Sequence, residues 1–115
     1  MKKKNVNNDS FYQRLVSTGL PVAYGYFDEY PDPPFLVYLG SGQDQFVADN
    51  GIYKKANTYQ VEFYFTNKDE SAEATLETTL EGFGYFYEKS ADVYVESEDI
   101  FVIYYTVTRK GYTNG

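Results

Sequence analysis

The clearest pattern along the chain is a strict alternation over residues 59–66. Tyr59, Val61, Phe63 and Phe65 fall on one side, Gln60, Glu62, Tyr64 and Thr66 on the other. A period of two predicts a strand with one face on a core and the other wetter. The pattern then changes period. Ala72, Leu76, Leu80 and Phe83 recur at helical spacing and predict one apolar stripe, with Glu77, Thr78 and Glu81 facing water. Asn67 with Glu70 three positions on predicts a capping box. Asp69, Glu70 and Glu73 suit the positive end of the helix dipole, and Gly84 is the expected stop. After 85–87 and a strand over 92–96, an acidic turn at Ser97, Glu98 and Asp99 leads to a long strand over 100–108. Both faces of that last run are apolar, which predicts a central position in a sheet or cover on both sides.

The first half is more broken. Asp9 or Ser10 predicts the start of a short helix over 11–18, closed by Gly19 and Pro21. A short strand at 22–27 runs into the proline-rich acidic loop from Asp28 to Pro34, which can continue neither helix nor ladder. Residues 35–39 predict a buried strand. Residues 40–58 hold many turn formers, and Asp49-Asn50-Gly51 predicts the tip of a long extended hairpin carrying Phe46, Val47, Ile52 and Tyr53. The expected fold class is α+β: a mostly antiparallel sheet with two helices packed on one face and that hairpin. Residues 1–8 are expected to be a disordered tail, 9–110 one domain and 111–115 a flexible end.

At 115 residues the chain is the size of one domain, and can bury roughly 65% of its unfolded surface. It contains neither cysteine nor histidine, which excludes disulfides and thiolate sites and removes the usual general base and metal ligand. The net charge of −7 argues against binding phosphate backbones, and the Lys2-Lys3-Lys4 cluster reads as a solvated terminus. No run is apolar enough for a membrane span, and MKKKNVNNDS has no apolar stretch of a secretory signal, so the chain is expected to stay where it is made. What stands out is aromatic content: 14 Tyr and 9 Phe make up 20% of the chain. That many tyrosines exceed one core and point to contact surfaces, where an apolar ring and a polar hydroxyl are both useful.

Chemistry is sparse. Asp28, Glu29 and Asp32 form the best metal or acid–base cluster, but calcium needs roughly six to eight oxygens from a shaped loop, and the prolines interrupt this one. Glu96, Glu98 and Asp99 read as a hairpin turn rather than a carboxylate pair across a sugar-sized cleft. Gly40-Ser41-Gly42 matches no phosphate loop. No catalytic, cofactor-binding or metal residue is expected, and no enzyme.

Several segments resemble a family of small tail-completion proteins, also described as tail-terminator-like or head–tail joining proteins, of long-tailed phages and prophages of Gram-positive bacteria. They are Pro21-Val22-Ala23-Tyr24-Gly25-Tyr26-Phe27, Pro33-Pro34-Phe35-Leu36-Val37-Tyr38-Leu39, Ala48-Asp49-Asn50-Gly51-Ile52-Tyr53, and Tyr87-Glu88-Lys89-Ser90 leading into Val93-Tyr94-Val95-Glu96-Ser97-Glu98. The likeness extends from about residue 10 to residue 109. The resemblance implies a virion part made in the host bacterial cytoplasm: a ring, commonly a hexamer, that caps the tail tube. It would contact itself, the major tail tube protein and the head–tail connector, with DNA only as passing cargo and no membrane. Six such chains would carry about −42 (six times −7), a lumen that lets DNA slide. The residues expected at the subunit interface are Phe46, Val47, Ile52, Tyr53 and Tyr104. An alternative is a monomeric acidic binding or adaptor domain, an inhibitor or host-interaction protein; a small carboxylate hydrolase is a third.

Overall fold

A computed structural model describes residues 10–47 and 53–109, with the side chains of 43–47 and 53–56 outside the description. The expected tails, the tip Asp49-Asn50-Gly51 and Ile52 therefore lie outside the described residues. Helix α1 (Ser10–Val16) buries Phe11 and Leu15, and its last turn closes on Gly19. Strand β1 (Val22–Tyr24) is short, and the proline-rich loop follows it. Strands β2 (Phe35–Val47) and β3 (Tyr53–Phe65) come next, then helix α2 (Glu70–Gly82), β4 (Tyr85–Lys89), β5 (Val93–Val95) and β6 (Ile100–Arg109). Among the described residues the strands form one sheet ordered β1-β2-β3-β6-β4, with β5 also paired to β6. Only β1 and β2 pair in parallel; the other pairs are antiparallel.

Register explains the layers. Leu36 faces Phe63, which faces Ile103; Tyr38 faces Val61, which faces Tyr105. Side chains alternate across a strand, so these residues share one face. They join Phe11 and Leu15 of α1 and Leu76 and Leu80 of α2 in a single core. Both helices thus lie on one side of the sheet. Burying a leucine such as Leu76 or Leu80 is worth about 1.5–3 kcal/mol. Phe11 also stacks on Tyr59 at 3.9 Å and meets Tyr38 and Tyr85 edge-on. Strand β6 is central, as its doubly apolar pattern predicts: Val102 is buried on the face away from Ile103.

Four expectations are corrected. The glycines after residue 39 do not end a strand: β2 continues to Val47, absorbing a register shift between Gly40 and Gly42, and Gly42 has φ +142°, where only glycine is free of strain. The α2 cap is Asp69, whose carboxylate accepts from the Ala72 N–H at 3.0 Å; Asn67 lies before it. Phe83 does not complete the apolar stripe. It is the residue after α2 and 41% exposed, because Gly84, at φ +89°, turns the chain away towards β4. Glu77 does not simply face water: it is only partly exposed, and three donors from the sheet reach it.

Candidate assembly surface

Those donors belong to a polar seam between α2 and the sheet. The Tyr105 and Tyr87 hydroxyls donate to the Glu77 carboxylate at 2.7 and 3.2 Å, and Lys89 Nζ donates to it at 2.6 Å. Lys89 also reaches Glu73, which takes a second lysine, Lys68, at 2.9 Å; Lys68 bridges on to Asp92. Glu73 is only 8% exposed. Burial alone would raise its pKa, but hydrogen bonds and charge from the two lysines hold it below the ordinary carboxylate value. Bonds to Glu73 and Glu77 push the Lys89 ammonium up. Burial, then the bonds to Glu81 and Glu77, raise the Tyr87 hydroxyl to about 12, and Tyr105 rises further through burial and its bond to Glu77. Every member has a partner, so the seam is a latch holding helix to sheet.

The surface outside the seam is aromatic at both sides of the sheet. On the β1 side, Tyr24, Tyr26 (67%) and Tyr30 are exposed. Here the loop from Asp28 to Pro34 folds across the sheet face opposite the helices. Phe27 and Tyr30 pack on the Phe35 ring, and Phe35 stacks on Tyr64. Tyr30, Pro31, Pro33, Phe35, Tyr64, Glu98 and Ile100 line a cleft of about 440 Å³. Asp28, Glu29 and Asp32 are exposed on this loop. Among the described residues they enter no ion pair, and no three acidic groups are grouped to hold a metal.

On the β4 side, Phe83, Phe86 (52%), Val93 and Tyr94 are exposed. The chain's two arginines, far apart in sequence, converge there on one ring. Arg14, from α1, lies over Tyr85 at 5.8 Å and Phe83 at 5.4 Å and donates to the Tyr85 hydroxyl at 2.7 Å. Arg109, the last residue of β6, lies over Tyr85 at 5.5 Å. The pairing of Tyr85 with Arg109 across β4 and β6 makes this meeting possible. Among the described residues neither arginine has a carboxylate within ion-pair distance, although the chain is strongly acidic.

Of the residues expected at an interface, Phe46 pairs with Lys54 and Val47 with Tyr53 in the β2–β3 ladder, while their side chains are outside the description. Tyr104 is half-buried opposite Glu62, on the face away from the helices. Tyr104 is therefore on the other face of the sheet from the arginine patch. Sequence reasoning missed Arg14, Arg109, Phe83 and Tyr85 as a group; the only advance sign was that the chain has just two arginines.

Fold and surface together define an open-sheet α+β protein with an aromatic flank at each side. No protein-family model and no curated protein matches the chain. No helix among the described residues is long and apolar enough to cross a membrane.

Proposed function

We propose that this protein is a structural part of a long-tailed phage virion, assembling as a ring at the head-proximal end of the tail. There it terminates the tube and joins it to the head connector. The place in the tail rests on the resemblance of the ordered segments from Pro21 to Glu98 to tail-completion proteins. The observation that carries assembly is the distribution of exposed rings: Tyr24, Tyr26 and Tyr30 at one side, Phe83, Phe86 and Tyr94 at the other. Two different sticky flanks favour head-to-tail association over a two-fold dimer, and a head-to-tail contact that closes makes a ring. The aromatic type suits interface anchors, since Tyr and Phe bury large area with few rotatable bonds. Self-association, the tail tube protein and the connector are the partners; DNA passes through an acidic lumen that repels it.

The test is solution mass across a concentration series, together with co-sedimentation on purified tail tubes. A ring in solution, or capping of tube ends seen by electron microscopy, is the expected result. A monomer at every concentration that also ignores tubes would overturn the reading and favour the adaptor alternative.

A further inference from the structure

The two halves of a contact sit at opposite ends of one strand. The acidic loop reaches the Ile100 end of β6 through the cleft that Tyr30 and Ile100 share, while Arg109 ends the same strand beside Tyr85. A ten-residue strand spans about 30 Å. Within one chain, therefore, Asp28, Glu29 and Asp32 cannot touch Arg14 and Arg109. Between two copies they can.

We propose that Arg14 and Arg109 form a carboxylate receptor for the acidic loop, Asp28, Glu29 and Asp32, of a second copy of the chain. The inference rests on the assembly reading and names its contact. Guanidinium forks match carboxylates in geometry and stay charged at any working pH. Contact with the one Tyr85 ring restrains both guanidiniums, so less freedom is lost when an anion arrives. The apolar parts match as well: Phe83, exposed, lies under Arg14, and exposed Tyr26 and Tyr30 flank the carboxylates along the loop. Among the lysines whose side chains are described, Lys68 and Lys89 are both engaged elsewhere, bound to Glu73, Glu77 and Asp92. Because the donor surface and the acceptor surface differ, each copy offers one of each, and the contact propagates in one direction.

Charge swapping on the full chain tests this. R14E/R109E and D28K/E29K/D32K, each with its fold checked by circular dichroism, are expected to weaken self-association, or capture on tail tubes, by roughly tenfold or more. An equimolar mixture of the two variants restores it, because each reversed patch then finds a reversed loop; so does one chain carrying all five changes. Wild-type association that is indifferent to the swaps overturns the receptor but leaves the assembly reading standing. A wild-type chain that stays monomeric and ignores tubes overturns both. If arginine reversal alone weakens association, the mixture gives no rescue, and the wild type binds a phosphorylated oligonucleotide, the patch serves phosphate and the loop pairing is wrong. Should R14E/R109E fail to fold, R14Q/R109Q and the loop variant, whose residues are exposed, carry the same comparison.

Discussion

Glu73 concentrates the electrostatics of the fold in one side chain. Its carboxylate is nearly buried and stays ionised because Lys68 and Lys89 both donate to it. Its folded pKa lies below the ordinary value of 4.5. The stabilisation is therefore present above that pH and is lost as pH falls through the folded value. Lys89 is shifted the other way, upward, so its share is complete below 10.5 and is lost only as pH rises through its folded value. Acid weakening thus reports on Glu73. Replacing Glu73 by Gln is expected to cost about 1–2 kcal/mol at neutral pH. The difference from wild type should shrink as pH falls through the folded value, below which both chains carry a neutral group. Urea unfolding across a descending pH series measures it; a deficit that stays constant would mean that shape rather than charge is at stake. The sequence placed Glu73 in the dipole-favoured turn, but not its burial, because both lysines arrive from outside the helix.

At the scale of elements, α2 shows how local signals compete. Asn67-x-x-Glu70 and Asp69-x-x-Ala72 both offer a capping oxygen before the same apolar stripe. Periodicity alone cannot choose between starts two residues apart. The packed positions Glu73, Leu76 and Leu80 decide it, and the helix begins at Glu70 with Asp69 as cap. Asp69→Ala should therefore cost about 1 kcal/mol of stability, while Asn67→Ala, on an exposed residue, should stay within about 0.5 kcal/mol. Thermal melts of the two variants give the comparison, and the reverse order would move the cap back to Asn67. That the strand at 35–39 runs on without a break into the hairpin was illegible for a related reason. Glycine and polar residues mark turns in isolation, yet β3 offers a partner for each residue from Gly42 to Val47, and a ladder can override weak propensity. Where the alternation was strong, at Tyr59 to Phe65 and Ile100 to Val107, pattern and structure coincide.

For the whole molecule, charge decides how copies meet. The net charge is −7 at neutral pH and the isoelectric point lies near 4.4. Long-range repulsion between like-charged copies opposes assembly and is screened by salt, whereas the proposed arginine–carboxylate contact is short-ranged. Moderate salt, to about 0.15 M, should therefore promote self-association before higher salt weakens the ion pairs. Light scattering across a salt series should show a maximum. A steady fall from the lowest salt would mean that attraction dominates throughout. Acidification towards 4.4 removes the net charge and should bring turbidity.

By itself the sequence determined the class: two periods, of two and of about 3.6 residues, written into Tyr59 to Leu80, with a strand too apolar on both faces to lie at an edge. It determined as well that aromatic area exceeds one core. Those properties are local or additive, and a single chain displays them in order. Only the tertiary structure decided which aromatics are surplus, that Tyr38 and Tyr105 are core while Tyr26 and Phe86 are not, and that Arg14 and Arg109 share one ring. Those facts depend on strand order and register, which bring distant residues together through pairings that no local pattern encodes.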